Sequence, residues 1–260
     1  MTRKALLLAL LTTALVGIPA AAQAADYHHV HLTATDELAA ARWYMDHMDC
    51  QDYGREGACQ VDGIQIIFYN DREPTGGSVG SGVDHIGFSF TDLEGRMAGW
   101  KAAGVKIVED IREVQGLFKL AFVEDPWGNK IEVVEDLQWL GFHHIHLRSA
   151  DPGAELTWYE SLFGGVPDKL KGRIAGLRYE GLWLLVGRAE GELQPTQGRA
   201  LDHLGWSFDD LDAAIADMQA RGVELESGPR EIVNRVGQQL KIAFVVTAEG
   251  VRIELVEVMS

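Results

Sequence analysis

The chain repeats itself at two levels. "VDHIGFSFTDL" at 83–93 returns as "LDHLGWSFDDL" at 201–211, and "KLAFVEDPWGNKIEVVE" at 119–135 returns as "KIAFVVTAEGVRIELVE" at 241–257. Between them lies a stretch closing in "AAGV" (102–105) or "ARGV" (220–223). The regions before these also match: "YHHVHL" (27–32) with "FHHIHL" (142–147), "ARWYMDHM" (41–48) with "LTWYESLF" (156–163), and "DGIQIIFYN" (62–70) with "EGLWLLVGR" (180–188). Self-similarity of this kind means one supersecondary unit used several times. The chain divides into four modules of about 50–60 residues, in the order A, B, A′, B′.

Each module reads as a strand, a helix and a run of short strands. In B′, alternation in "LDHLGWSF" predicts a strand. Asp209 or Asp210 can cap the helix that follows, in which Leu211, Ala214, Ile215 and Met218 fall at helical spacing. Arg221-Gly222 closes it with a basic last turn and a glycine beyond. "KIAFVV" and "VRIELVEV" alternate again around a turn at Gly250. Module B keeps the plan, with Asp125-Pro126 and Gly128 at its turn. The expectation is βαβββ four times.

The string DH-x-G-F-S-F, a helix, AGV and "AFVEDPWGNKIEVVE" resembles the vicinal-oxygen-chelate superfamily. That group includes glyoxalase I, methylmalonyl-CoA epimerase, extradiol dioxygenases and the fosfomycin- and bleomycin-resistance proteins. The resemblance covers residues 27–258 and is strongest in B and B′. It implies an α+β fold of paired βαβββ modules forming two cupped mixed sheets, with metal and substrate inside each cup. The repeat suggests two domains, 27–138 (A with B) and 140–259 (A′ with B′), although exchange of modules between the halves would mix their ligand sets.

Strand periodicity says which residues line such cups, because alternate residues share a face. Val30/Leu32, Ile145/Leu147, Ile86/Phe88/Phe90 and Leu204/Trp206/Phe208 should pack on the helices. His29, His31, His144, His146, His85 and His203 then face the cups, while His28 and His143 face the helices. In the last strands, Ile131 and Val133 turn Glu132 inward, and Ile253 and Leu255 turn Glu254 inward. His, His and Glu thus reach one face in each half, spaced 56 and 47 residues apart in the first and 59 and 51 in the second. Two imidazoles and a carboxylate suit a divalent ion such as Fe2+, Mn2+, Zn2+ or Ni2+.

The fourth corner differs between halves. Family sites often take a ligand from the last strand of the first module, where Gln65 stands in one half and Trp183 in the other. His29, Gln65, His85 and Glu132 resemble the epimerase ligand set, whereas short bacterial glyoxalases would have Glu at position 65. Trp183 cannot bind metal but can stack on a substrate or plug the cup. His31 and His146, one cup-facing step from the proposed ligands, are candidates for a catalytic base or for groups supporting the ligands.

Family chemistry is chelation of a small substrate through vicinal oxygens, with the metal stabilising an oxyanion or enolate or activating O2. An isomerase or lyase of the glyoxalase or epimerase type is the leading expectation. An Fe(II) extradiol-type dioxygenase is the second, weakened because Phe122 and Phe244 stand where that motif has tyrosine, and because no histidine lies between His85 and His143. A metal-free sequestration protein of the bleomycin-resistance type is the third, and loss of the ligands would be its mark.

Residues 1–24 have the layout of a secretory signal peptide: Arg3 and Lys4, an apolar run from Ala5 to Ile18, and Ala22-Gln23-Ala24 as a cleavage site. The run is shorter than the ~20 residues of a transmembrane helix. A periplasmic or secreted location is therefore expected, with no membrane association after cleavage. Cleavage moves the net charge from −16 to −18, which argues against nucleic-acid and anionic-lipid partners and leaves a small molecule, and possible self-association, as the expected partners. In an oxidising compartment Cys50 and Cys59 can close a disulfide loop worth ~2–3 kcal/mol; two sulfurs at that spacing are too few for a zinc cluster.

Overall fold

The computed structural model describes residues 25–69 and 72–259; the expected signal peptide, 1–24, lies outside them. Module A comprises β1 (Asp26–Thr33), α1 (Glu37–His47), β2 (Ala58–Val61) and β3 (Ile64–Tyr69). Module B comprises β4 (Val83–Ser89), α2 (Leu93–Ala103), β5 (Lys106–Glu113), β6 (Lys119–Glu124) and β7 (Lys130–Glu135). Module A′ comprises β8 (Gly141–Ser149), α3 (Pro152–Phe163), β9 (Val166–Leu170), β10 (Ile174–Tyr179) and β11 (Leu182–Arg188). Module B′ comprises β12 (Leu201–Ser207), α4 (Leu211–Ala220), β13 (Leu225–Val233), β14 (Gln239–Val246) and β15 (Arg252–Val258). The expected α+β fold with two mixed sheets is observed, and three modules are βαβββ.

Module A departs from the plan. Among the described residues it has two strands after its helix, and the stretch before β2 is tied down by the Cys50–Cys59 disulfide and a bridge between Gln51 and Gln60. A covalent loop here replaces a strand. Reducing it should cost about 2–3 kcal/mol on the loop-entropy scale, read as a lower unfolding midpoint in dithiothreitol; an unchanged midpoint would contradict that role.

All four helices start the same way. Asp36, Asp92, Asp151 and Asp210 each accept a backbone N–H of the first turn, an N-cap worth about 1 kcal/mol. Of the two aspartates expected to cap α4, Asp210 does so. Leu211, Ala214, Ile215 and Met218 are its buried face, as the spacing predicts.

The modules pair across the halves. One sheet runs β13-β14-β15-β12-β1-β3-β2, joining B′ to A; the other runs β5-β6-β7-β4-β8-β11-β10-β9, joining B to A′. The seams are antiparallel, β1 on β12 and β4 on β8. Connection length gives a physical reason. Only residues 136–140 separate β7 from β8, whereas 70–82 and 189–200 separate β3 from β4 and β11 from β12. The short link keeps B and A′ in one sheet, and the long ones let the chain cross to the other. The repeats 27–138 and 140–259 therefore do not each build a sheet of their own.

One apolar core receives the helix-bearing faces of both sheets: Val30, Leu32, Ile86, Phe88, Ile145, Leu147, Leu204 and Trp206 are all fully buried in it. The opposite faces carry smaller clusters, including Leu120, Phe122, Leu170 and Trp183 on the B–A′ sheet and Leu240, Ile242, Phe244 and Val256 on the A–B′ sheet. No helix among the described residues is long and apolar enough to cross a membrane.

Candidate metal centres

Pairing across the halves regroups the expected ligands. His29, His31, His203 and Glu254 form one group and His85, Glu132, His144 and His146 another, each offering ligand atoms within 4.8 Å of one another. The within-half sets, His29 with His85 and Glu132, and His144 with His203 and Glu254, are thus corrected. The strands that carry these histidines meet at the seams, where His31 lies opposite His203 and His85 opposite His146.

In each group a carboxylate sits between two imidazoles. Glu254 Oε2 lies 3.2 Å from His29 Nε2 and 3.1 Å from His203 Nε2. Glu132 Oε2 lies 2.9 Å from His85 Nε2 and 3.2 Å from His144 Nε2. The Nε2 atoms of His29 and His144 are buried and sit outside good hydrogen-bond alignment. Buried nitrogens left this way, converging with a carboxylate, fit a divalent ion, for which imidazole and carboxylate distances near 2 Å are usual.

Bulges at the seams add what strict alternation missed. His28 is an extra residue opposite the β12 strand, between the pairs Tyr27–Trp206 and His29–Gly205. The bulge brings His28 to the side of His29, with their Nδ1 atoms 2.8 Å apart. His143 repeats this with His144 at 2.7 Å. The expectation that His28 and His143 face the helices is therefore corrected: each touches the Nδ1 of a candidate ligand. On the facing strands the extra residues are Asp84 and Asp202, which accept from His85 Nδ1 at 2.5 Å and His203 Nδ1 at 2.7 Å. Carboxylates on the far nitrogen fix ring orientation and tautomer. Both aspartates were overlooked at the sequence level, although each directly precedes its histidine.

The glycine of DH-x-G has a steric cause. A Cβ on Gly87 would overlap the His144 imidazole, 2.7 Å from its Nε2 and closer to Cε1 and Nδ1. Gly205 stands in the same relation to His29.

The fourth corners do not join the groups. Gln65 pairs in register with His29, yet its amide hydrogen-bonds to His28 Nε2 at 3.1 Å and to Tyr53 at 2.9 Å. Trp183 is buried in the wall of the B–A′ cup against Trp139. His31 and His146, expected as bases or supporting groups, offer ligand atoms within the clusters.

Burial and neighbours set the charge states. Burial pushes His144 down to about 4 and His28 down to about 3, and lowers His29, His31 and His146 as well. Burial opposes ionisation of Glu132 and Glu254, but the two imidazoles facing each carboxylate outweigh it and hold both carboxyls well below their usual range. For His203, burial is outweighed by Asp202 and Glu254, which raise it. An unfolded histidine titrates near 6.5, so between about pH 6.5 and 4 the unfolded chain takes up protons that the folded one refuses, and stability falls as pH is lowered. The glutamates deepen this loss below about 4.5, their ordinary value. His203 acts in the opposite sense: its contribution is full below about 6.5 and is lost as pH rises through its higher folded value. Five lowered histidines outweigh it, so unfolding midpoints of chelator-treated protein should drop steadily from pH 7 to 4.5. A flat profile would contradict this.

The B–A′ group opens onto a cavity of about 230 Å3. Its walls include Phe118, Leu120, Phe122, Leu170 and Leu185, and Arg112 and Arg148 stand among them. A Cβ built on Gly187 would lie 2.7 Å from an Arg148 guanidinium nitrogen and 3.2 Å from His146 Nε2, so cation and imidazole sit side by side. Position 148 is threonine in the other copy, Thr33, and the space beside His31 is lined instead by Arg55, Glu56, Ile67 and Arg235.

Residues 141–255 match the model of the Glyoxalase/Bleomycin resistance protein/Dioxygenase superfamily. Among solved structures, glyoxalase I from Zea mays is 18% identical with a TM-score of 0.65, covering 90% of this chain and 93% of that one. A Bacillus subtilis protein whose dioxygenase assignment is provisional is 16% identical with a TM-score of 0.67, covering 92% and 87%. No curated protein sequence matches. The second half thus matches that superfamily's model, and the chain as a whole has the fold seen in glyoxalase I.

Proposed function

We propose that the protein is an exported, metal-dependent enzyme with two metal centres per chain, acting on a small anionic molecule that presents vicinal oxygens. The observation that carries this reading is the B–A′ cluster, with converging buried ligand atoms beneath an apolar cavity that also holds Arg112 and Arg148. His85, His144 and Glu132 would hold the ion there, with His146 beside them; His29, His203 and Glu254, with His31, would do so in the other cup. A divalent ion so placed supplies a Lewis acid for a developing oxyanion. The cavity exceeds one of about 150 Å3 that accommodates benzene, so a single-ring molecule fits. Arg148 and Arg112 would orient its carboxylate, and the apolar walls would exclude water. His146, kept neutral by burial and by His85, is suited to take a proton from a carbon next to the chelated oxygens when it is not itself a ligand. That arrangement supports isomerase- or lyase-type chemistry.

A dioxygenase is the second reading, favoured by the two-histidine, one-carboxylate set and weakened by Phe122 and Phe244. Deuterium exchange at the α-carbon of mandelate in D2O, followed by NMR, separates the two. Exchange that needs added metal and vanishes in E132A supports the first reading. Oxygen uptake with catechol by the Fe(II) protein, without exchange, would replace it with the second. Protein that binds mandelate equally well with and without metal, and catalyses neither reaction, would point to sequestration.

A further inference from the structure

The two centres differ in how the Nδ1 of their first histidine is held, and hydrogen-bond direction makes the difference chemical. In the B–A′ centre, His143 Nε2 donates to Asp136 at 3.4 Å, and Asp136 is fixed in turn by Lys171 at 2.7 Å and by the Gln138 backbone N–H at 3.0 Å. A neutral His143 with its hydrogen on Nε2 can only accept at Nδ1. His144 Nδ1 therefore donates to it, which leaves the lone pair of His144 on Nε2, the atom aimed at Glu132. That is the tautomer a metal needs.

In the A–B′ centre the same path ends on an amide. Gln65 Oε1 accepts from the Tyr53 hydroxyl at 2.9 Å and from Arg55 at 3.4 Å, two donors that fix which end of the amide faces them. Its NH2 then faces His28 Nε2 at 3.1 Å and can only donate. His28 carries its hydrogen on Nδ1 and donates it to His29 Nδ1. His29 is left with its hydrogen on Nε2, the atom a metal must occupy beside Glu254. Loading this centre requires both imidazoles to exchange tautomers and the amide to turn its NH2 toward Arg55.

We infer that the centres load in order: B–A′ first and more tightly, with Asp136 as a positioning residue, and A–B′ second, held back by Gln65. This rests on the metal-centre reading above. Supporting groups of this kind change metal affinity by about 10–100-fold, so the two steps should differ by about tenfold or more.

The test is titration of metal-free protein with Co(II), followed by calorimetry and by the cobalt absorption bands. The expected isotherm has two steps, the tighter lost in H85A and the weaker in H203A. D136N should weaken the tight step about tenfold. Q65E, whose carboxylate would accept from His28 Nε2, should strengthen the weak step, a gain that misfolding cannot imitate. Q65L removes the amide donor and cannot ligate metal, so a strengthened weak step in this variant as well assigns the effect to hydrogen-bond direction rather than coordination. Equal affinities in the wild type, or a weak step unmoved by Q65E and Q65L, would overturn the inference while leaving both centres standing. Absence of Co(II) binding would remove the centres and the inference together.

Discussion

Metal-loaded protein should carry two ions per chain, and H29A, H203A and the double variant H29A/H203A should all retain the same single ion. H29A/H85A, by contrast, should retain none. The pattern follows from the seams: His29 and His203 stand in one group and His85 in the other, although His29 and His85 share a half of the sequence. Removing a ligand from such a group should weaken binding by more than about a hundredfold, beyond what loss of a supporting partner costs. Elemental analysis after dialysis reads the result directly. If H29A/H85A kept one ion while H29A/H203A kept none, the ligands would be grouped by half, and the sheet order β15-β12-β1-β3 would be wrong at its centre.

Gly87→Ala and Gly205→Ala should each damage both stability and metal binding. Each added methyl would enter the space of an imidazole, His144 or His29. Both rings are held at Nδ1 by His143 or His28 and have the glutamate facing Nε2 at 3.2 Å, so they have little room to move aside. Overpacking of this sort costs about 1–3 kcal/mol, and a ring pushed out of line should lower metal affinity about tenfold or more. Gly99→Ala is the matched control. Gly99 lies inside α2, where an added methyl would meet nothing within 4 Å, so alanine there should be neutral or stabilise by about 0.5–1 kcal/mol. Denaturation midpoints and metal content, measured on the three variants, check the contrast. Equal loss in all three would remove the steric explanation of the DH-x-G glycine.

Much of this site is legible in the sequence because strand periodicity is a local property. Placing Val30, Leu32, Ile145 and Leu147 on the helices placed His29, His31, His144 and His146 on the other face without reference to any partner strand. The disulfide and the helix caps are local in the same way. The partner of an open strand edge is not local: β4 pairs with β8 rather than β1, and the short link from β7 to β8 favours that choice. A bulge is equally invisible, since one extra residue turns a side chain through the sheet without changing the hydrophobic pattern. That is why His28, His143, Asp84 and Asp202 were misplaced or overlooked. Gln65 shows a third limit. Its register beside His29 is correct, but Tyr53 and Arg55, on a loop that replaces a strand, decide where its amide points.

The crossed pairing of modules also bears on how such a chain can be divided. A break in the link between β7 and β8 would leave each fragment with one contribution to each centre and with complete ownership of neither. A half-length ancestor could have assembled the same two centres only as a pair of identical chains, and fusion would then have freed the copies to diverge. The asymmetry at positions 65 and 183, and at 33 and 148, is the kind of difference that an obligately symmetric pair could not have kept.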